Sequence, residues 1–476
     1  MTPAPLCHIC LMRHITLIIL ILLLGLGATI GYGVCFWRTP YSDAAEYAAL
    51  GRSLASDGRF QDKSGQATSY RPPGYPFLIA FCNTISDDIE VILPIVQGLL
   101  VCATALMAVL TMRPFFSPRS RRWLLLLGVV CPTTLVYVSM AMSETLAMFL
   151  IVVAVYMIHL HDKMIDHGIS WCWAVVGGLA LGSAILVRPA ALFLLPGLVL
   201  WMVWRLVAGP RRLVRVITTV MIAVAALTVV LPWSFRNQRI HGQFVLVSTN
   251  GAINLALANS PGARGGWRSF GQLGIEEEAG ELEKAQRAHK LAFDFIKQHP
   301  VEYLQLCARR AAHWLSPSLM SDAQWLLLAD EQAEQEIVQR YYDKKQGQAG
   351  ALSERLKLIL AANVALLTMW ESIVVYLAVL GIYRAICTRQ LQMVLALLLS
   401  FALFSSLTFM DARIRQTVIP LILIFTILGA SSIMWYVQRW NGGVVARWSM
   451  FIPPLLLLPS TVYTLLQLLQ TIGANR

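Results

Sequence analysis

The residues from Ile15 to Phe36, ITLIILILLLGLGATIGYGVCF, form an apolar run without a charged side chain. About 20 apolar residues are enough for a helix to cross the hydrocarbon core of a bilayer. The apolar region of a cleavable signal peptide is shorter, roughly 7–15 residues. This stretch therefore predicts an uncleaved first membrane span.

The composition of the whole chain agrees with this prediction. Of the 476 residues, 57% are hydrophobic and 13% are charged, whereas a soluble domain carries roughly 25% charged residues. We therefore expect a polytopic membrane protein of the all-helical class. In such a protein the formal net charge of +12 reflects membrane topology, and no nucleic-acid partner is expected.

Hydropathy along the chain predicts about eleven transmembrane helices. The predicted spans are 15–36, 90–112, 122–140, 143–161, 171–188, 190–206, 213–234, 358–384, 390–409, 415–437 and 448–471. Arg and Lys favour cytoplasmic loops, and with the N-terminus inside every predicted inner loop carries at least one of them. We therefore expect a multi-pass protein of the cytoplasmic (inner) membrane with a cytoplasmic N-terminus.

Two predicted outer segments are too long to be turns, and they divide the chain. We expect an N-terminal transmembrane module, 1–234, whose first outer loop is 37–89. A small, mostly helical extracytoplasmic domain, 235–356, follows, and 357–476 forms a C-terminal transmembrane module.

The residue pattern within the middle domain predicts its local structure. Asn, Gly and β-branched residues at 244–267 indicate loops and a short strand. From Ile275 to about Ser316 we expect helical structure, in which acids come early and bases later, as the helix dipole favours. A further helical piece is expected from Ala329 to Tyr342.

The first outer loop begins with a short amphipathic helix that carries two acids. Ser42 is placed to cap this helix, and Asp43, Glu46 and Tyr47 fall on one face of it. We expect its alanine and leucine side to rest on the bilayer. A carboxylate there could serve as a base between a water-borne acceptor and a lipid-borne donor; the alternative is a solvated acidic face.

Further charged residues are predicted on the same side of the membrane. Glu144 lies in the turn between two spans, where it is either a functional acid or an acid that suits a helix N-terminus. The diproline after Arg71 disfavours helix there. Four more charged residues occupy outer turns: Arg188, Asp411, Arg413 and Arg415.

Arginines at outer turns run against the usual charge asymmetry of membrane proteins. They either snorkel to lipid headgroups or clamp a phosphate, which the guanidinium fork suits. A carboxylate beside phosphate-binding arginines is what transfer from a lipid phosphate requires. We expect a substrate cavity that includes Tyr47, Tyr70, Tyr75 and Asp411.

No metal site is expected from the cysteines and histidines. Cys7 and Cys10 lack a second pair of ligands, and His241 and His313 have no partner at a metal-binding spacing. No cofactor is expected to be required, and a divalent cation is left open.

At these residues the chain resembles the GT-C superfamily of integral-membrane glycosyltransferases, of the protein O-mannosyltransferase and lipid A aminoarabinose transferase type. The resemblance rests on the following motifs: DAAEY at 43–47, RPPGYP at 71–76, SETLA at 143–147, RPAAL at 188–192, ARIR at 412–415 with Pro420, and the segment 236–255. Two positions depart from the family pattern, since Ala44 stands where many members have a second acid and Ile414 where a tyrosine is common.

The resemblance implies roles for the charged residues. Asp43 matches the catalytic acid of the first loop, which acts as general base or orients the acceptor, and Glu144 matches an acid of the second outer turn. Arg71 takes the place of a basic residue near the donor phosphate, and Arg413 or Arg415 faces that phosphate. Together the expected site has three catalytic acids and four donor-phosphate-binding arginines: Asp43, Glu46, Glu144, Arg71, Arg188, Arg413 and Arg415.

The resemblance also implies the reaction, the inverting transfer of a hexosyl or pentosyl group from a polyprenyl-phosphate donor on the outer face. The acceptor would be a hydroxyl or phosphate of a lipid, glycan or protein. Two alternatives stay open: a lipid flippase or transporter without transfer chemistry, and an oligosaccharyl transferase or polymerase that uses a lipid diphosphate. The second would be favoured by dependence on a divalent cation.

Overall fold

The computed structural model describes most of the chain, and its fold is given for those residues. They are 8–165, 167, 170–208, 211–265, 270–275, 280–315, 335–336, 339, 343, 353–389, 391–410 and 412–439. Within these ranges the protein is almost entirely helical, and the β-structure consists of one isolated antiparallel bridge between Gln61 and Ala67.

The α-helices of the described ranges are numbered here in chain order. In chain order they are α1 (His8–Cys35), α2 (Asp43–Asp57), α3 (Gly74–Ile85), α4 (Ile89–Thr111), α5 (Pro118–Val129), α6 (Pro132–Val138), α7 (Glu144–Lys163), α8 (Ser170–Val187), α9 (Leu195–Ala208), α10 (Arg212–His241), α11 (Asn250–Ala258), α12 (Glu281–Gln298), α13 (Pro300–Leu315), α14 (Glu354–Thr388), α15 (Gln392–Thr408), α16 (Ala412–Gln416) and α17 (Ile419–Arg439). Short 3₁₀ helices occupy Pro189–Leu194 and Phe270–Leu273.

The prediction of a polytopic helical membrane protein is confirmed. Among the described residues, seven helices are long and apolar enough to cross a membrane, or eight if α5 and α6 form one span bent by 42°. The bend corresponds to the predicted span 122–140 and coincides with Pro132, which lacks a backbone donor. Two further predicted spans correspond to shorter apolar helices, Gln392–Thr408 and Ile419–Ile433, and 448–471 lies outside the described residues.

The spans pack closely around a continuous apolar core. α8 lies between α7 and α10, and α14 runs along α17. Close approach of membrane helices depends on small residues, and here glycines lie at the crossings. An added Cβ at Gly178 or Gly182 of α8 would meet backbone atoms of α10.

At two glycines, the crossing of α14 and α17 leaves no room for a side chain. A Cβ added at Gly381 would overlap the carbonyl oxygen of Phe425, and one added at Gly429 would overlap that of Leu377. Because backbone cannot yield as a side chain can, we expect Gly381→Ala to destabilise the protein by about 1–3 kcal/mol or more. Thermal unfolding in detergent measures this effect.

A matched control exists in α1, where an added Cβ at Gly27 would meet no other atom within 4 Å. Gly27→Ala is expected to leave the unfolding temperature unchanged or slightly raised, since alanine favours helix. Equal melting temperatures for the two variants would contradict the proposed close crossing.

The described part of 235–356 is mostly helical but differs in detail from the prediction. The short strand expected at 244–267 is absent, and α11 forms instead because Ile253 and Leu257 pack against Ala288 and Ala292 of α12. The region expected to be helical from 275 to 316 contains, in its described residues, the two helices α12 and α13, with α13 beginning at Pro300. The helical piece expected at 329–342 lies almost wholly outside the described residues.

Candidate active site

Asp43 and Glu46 lie in the first turn of α2. Ser42, at the helix start, has φ 51° and makes no side-chain capping bond, so the predicted cap is wrong. The alanine side is buried within the protein rather than resting on lipid, and Ala44 belongs to a buried cluster that α2 shares with α3, α4, α6, α7 and α8. This packing turns the two carboxylates toward the loop that precedes α3.

Arg71 in that loop binds both carboxylates. Its Nη2 donates to Asp43 Oδ1 at 2.5 Å, and its Nε donates to Glu46 Oε2 at 2.6 Å. The guanidinium carbon lies 4.9 Å from the centre of the Tyr70 ring and 5.6 Å from that of Tyr47. Arg71 is 7% exposed, so aromatic rings and carboxylates together hold a buried cation.

Glu144 is fully buried at the N-terminus of α7 and binds two other arginines. Its Oε1 accepts from Arg188 Nη1 at 2.5 Å and from Arg413 Nε at 3.2 Å. Arg413 Nη1 also donates to Asp43 Oδ2 at 2.7 Å. Arg413 therefore links the acid of the first loop to the acid of α7. Among the described residues, nothing hydrogen-bonds the buried Oε2 of Glu144.

These contacts form one continuous chain of alternating charge. We call it the acid–arginine cluster: Glu46, Arg71, Asp43, Arg413, Glu144 and Arg188. With three acids and three arginines its formal charge is zero. Six of the seven residues predicted as catalytic or phosphate-binding thus meet at one place, drawn from the segment 43–71 and from three later positions, Glu144, Arg188 and Arg413.

The cluster keeps Asp43 ionised. Burial raises the pKa of the Asp43 carboxyl, but the charges of Arg71 and Arg413 lower it by more, so the net pKa lies well below its ordinary value. A carboxylate with so low a pKa is a weak proton acceptor. In the arrangement described here, Asp43 is better suited to orient a hydroxyl than to take its proton.

Arg415 points away from the other arginines. Its Nη2 donates to Glu371 Oε2 of α14 at 2.5 Å, and its Nη1 lies 3.4 Å from the carbonyl oxygens of His313 and Trp314. The pair with Glu371 is almost fully buried. The phosphate-binding role predicted for Arg415 stays a prediction, and Asp411 lies outside the described residues.

The three tyrosines predicted to line the cavity take different positions. Tyr47 and Tyr75 are buried, with ring centres 5.4 Å apart in an edge-to-face contact. Tyr70 is half-buried beside Arg71. Burial raises the pKa of Tyr70 to about 12, so its hydroxyl stays protonated at neutral pH and can donate a hydrogen bond.

Sequence reasoning missed Gln97, a fully buried amide of α4. Its Nε2 donates to the carbonyls of Val138 and Met140 at 3.1 and 2.9 Å, and its Oε1 accepts from Thr145 Oγ1 at 2.7 Å and Tyr75 OH at 3.2 Å. All four hydrogen bonds of the amide are made, and they hold the turn that precedes Glu144. The available signal was a polar residue within an apolar span.

Gln97→Leu is therefore expected to destabilise the protein and displace Glu144. Each buried polar group left without a partner costs about 1–3 kcal/mol, and the substitution removes the partner of several. We expect a lower unfolding temperature in detergent. Gln66→Leu, at an exposed position of the first loop, is the control and should unfold like wild type; equal loss in both variants would contradict the supporting role.

Comparison with known proteins identifies the fold. The oligosaccharyltransferase AglB from Archaeoglobus fulgidus, solved with an inhibitory peptide and a dolichol-phosphate, is similar with a TM-score of 0.52 and 14% identity, over 96% of this chain and 56% of that one. ArnT from Cupriavidus metallidurans, solved with undecaprenyl phosphate, has a TM-score of 0.42 and 14% identity, over 90% and 79% of the two chains. The chain thus spans little more than half the length of AglB.

This protein is a multi-pass membrane protein with the GT-C fold, as the resemblance predicted. Residues 70–235 match the model of the dolichyl-phosphate-mannose-protein mannosyltransferase family. The matched segment contains Arg71, Glu144 and Arg188, whereas Asp43 and Arg413 lie outside it. A search of curated proteins found no match.

Proposed function

We propose that this protein is an inverting glycosyltransferase that moves a sugar from a polyprenyl-phosphate donor to an acceptor. The acid–arginine cluster carries the proposal, because it joins carboxylates and arginines at one end of the helices. Glu144 begins α7, Arg188 follows the end of α8, and Arg413 follows the end of α15. Under the orientation indicated by Arg and Lys, this end faces the outside of the cytoplasmic membrane.

The arginines would bind the donor phosphate. A phosphate is bound well by guanidinium groups in bidentate geometry, and Arg71 and Arg413 already donate to the two carboxylate oxygens of Asp43, Oδ1 and Oδ2 respectively. The lipid phosphate then competes with Asp43 for these donors. As it takes their hydrogen bonds, the pKa of Asp43 rises toward its ordinary value, and its carboxylate becomes a better base.

The transfer step breaks the bond between the anomeric carbon and the phosphate oxygen and forms one to the acceptor oxygen. The acceptor attacks from the opposite face, which inverts the anomeric centre. A hydroxyl acceptor gives its proton to Asp43, and polyprenyl phosphate leaves as a dianion that the arginines stabilise. Glu144 and Glu46 hold Arg188, Arg413 and Arg71 in place for this charge.

The helices α11 to α13 would form part of the binding site for the acceptor. We propose that 235–356 forms an extracytoplasmic domain between the modules 1–234 and 357–476, since α11 to α13 lie between the spans in sequence and contact the C-terminal end of α15. Asn259 Nδ2 donates to the carbonyl of Thr408 at 2.8 Å, and Tyr303 OH donates to that of Leu407 at 2.9 Å. The acceptor is a hydroxyl or phosphate of a lipid, glycan or protein.

A second candidate, transfer of an oligosaccharide from a lipid diphosphate, is favoured by the fold shared with AglB. Such enzymes would need a divalent cation to bind the diphosphate. Among the described residues, no group of three or more His, Cys, Asp or Glu side chains is arranged to hold a metal. Dependence on a divalent cation would separate the two candidates.

Sugar transfer in membranes tests the proposal. Membranes with and without the protein receive radiolabelled polyprenyl-phosphate hexoses and pentoses, with and without EDTA, and the label is followed into lipid, glycan and protein fractions. We expect protein-dependent label that EDTA does not reduce. Absence of label from every donor would overturn the proposal and favour a flippase, and loss of label with EDTA would favour the diphosphate-type enzyme.

A further inference from the structure

A carboxylate of α12 accepts hydrogen bonds from the loop that carries Arg71. Glu281, in the first turn of α12, accepts a hydrogen bond from Thr68 Oγ1 at 2.6 Å and from the Ser69 amide at 3.0 Å. The same carboxylate accepts from Thr249 Oγ1 at 2.9 Å and lies 3.6 Å from His241 Nε2. Its side chain is 23% exposed, so these bonds are largely shielded from water.

The same two loop residues are bound from α10 and the segment after it. Ser69 Oγ donates to Asn237 Oδ1 at 2.7 Å, and Arg236 Nη1 donates to the Thr68 carbonyl at 2.9 Å. The Thr249 amide donates to the Ser69 carbonyl at 3.0 Å. Residues 68 and 69 are thus held by hydrogen bonds to α10, to Thr249 and to α12. Among these described contacts, only Glu281 supplies an anionic group.

The fixed segment ends two residues before Arg71. Tyr70 lies between them, with the centre of its ring 4.9 Å from the Arg71 guanidinium carbon, and it also packs against the apolar cluster of α11 and α12. Pro72 and Pro73 follow Arg71 and stiffen the chain on the other side. Two fixed flanks leave the backbone of Arg71 little freedom, so its guanidinium is set where it binds Asp43 and Glu46.

We propose that Glu281 is a positioning residue for Arg71, through which the helices outside the spans set the donor-phosphate site. The inference rests on the proposed function for what Arg71 binds. Glu281 makes no described contact with the acid–arginine cluster, so it acts on the phosphate only through Thr68 and Ser69. Without the carboxylate, the loop loses a charge-assisted bond and a backbone partner, and Arg71 samples more positions.

Glu281→Gln tests this role, with Glu283→Gln as its control. Both residues lie in the first turn of α12, but Glu283 is about half exposed and pairs with Arg287 on the same helix. The two variants therefore change the charge at the helix N-terminus equally. Glu281→Asp, which keeps the charge on a shorter side chain, should partly restore function.

Two measurements on the purified, full-length protein decide the outcome. Amide hydrogen exchange reports the order of residues 66–72, and binding of polyprenyl phosphate reports the site. For Glu281→Gln we expect faster exchange confined to 66–72 and roughly tenfold or greater weakening of binding, as loss of a hydrogen bond to a charged group implies. Where transfer is measured, the KM for the donor should rise more than kcat falls.

Three results would overturn the proposal: unchanged exchange at 66–72, unchanged binding of polyprenyl phosphate despite faster exchange there, or faster exchange over the whole protein. The last would show a general structural role. The proposed function is tested separately, since its failure would appear as absence of sugar transfer by the wild-type protein. The three results above concern only the difference between Glu281→Gln and Glu283→Gln.

Discussion

Asp43→Asn is expected to reduce the rate of sugar transfer by about 10²–10⁴-fold, the range over which a positioned acid or base accelerates a reaction. The amide cannot take a proton from the acceptor. It also offers one oxygen where the carboxylate offers two, so it cannot bind Arg71 and Arg413 together as Asp43 does at 2.5 and 2.7 Å. The measurement is the initial rate of label transfer in membranes with equal amounts of protein.

Asp57→Asn is the matched control, since Asp57 ends the same helix and is exposed. It should transfer sugar at the wild-type rate. Both variants should be purified and unfolded thermally, so that loss of activity is not confused with loss of fold. A rate for Asp43→Asn within tenfold of wild type, with the protein folded, would contradict the role given to Asp43.

Asp43→Asn is best compared with wild type between pH 5 and 8, where the carboxyl group of Asp43 stays ionised. Its pKa is lowered in the folded protein. Its contribution to stability is therefore present above its ordinary value of about 3.9 and is lost only as pH falls through the lowered value. Over the chosen range Asp43 is ionised in both folded and unfolded chains, so pH does not alter the comparison.

Arg413→Gln and Arg415→Gln are expected to have different effects: the first lowers the rate of sugar transfer, and the second lowers the stability of the protein. Arg413, at 22% side-chain exposure, binds Asp43 and Glu144, and its removal should reduce transfer by about 10²–10³-fold, as loss of one stabilising donor does. Arg415 binds Glu371 within the protein. Its removal takes the arginine away from a buried ion pair, and breaking such a pair should cost about 3–5 kcal/mol of stability.

Transfer rates and thermal unfolding of both variants separate these effects, and a double variant tests the pair. Arg415→Gln combined with Glu371→Gln should recover much of the stability lost in Arg415→Gln, since both members of the buried ion pair are then neutral. If Arg415→Gln instead loses transfer at unchanged stability, Arg415 contacts the phosphate and the assignment of the two arginines must be exchanged.

The parts of the structure that the sequence predicted are those governed by local pattern. Long apolar runs predicted the spans, because the bilayer sets the length and polarity of any helix that crosses it. The acids and arginines at the loop ends were identified as candidates because helix packing alone does not require a charged residue at those positions. Their grouping follows from helix topology, which brings the start of α7 and the C-terminal ends of α8 and α15 to one side.

The parts that could not be predicted depend on tertiary contacts. α11 forms in a stretch with Asn, Gly and β-branched residues, since its apolar side is buried against α12, and burial outweighs local propensity. Arg415 finds its partner 44 residues earlier in the chain, and no spacing rule predicts such a pair. The hydrogen bonds of Gln97 and Glu281 join residues distant in sequence in the same way.

The most direct test of the site is to locate the bound lipid phosphate. Polyprenyl phosphate with a photoreactive group beside the phosphate can be irradiated with the protein in lipid nanodiscs and its crosslinks mapped by mass spectrometry. We expect crosslinks in peptides that contain Asp43, Arg71, Glu144 or Arg413, displaced by unlabelled lipid and reduced in Arg413→Gln. Crosslinks gathered instead at the other end of α7, where Asp162 binds Arg205 and Arg215, and unchanged in Arg413→Gln would contradict the assigned site.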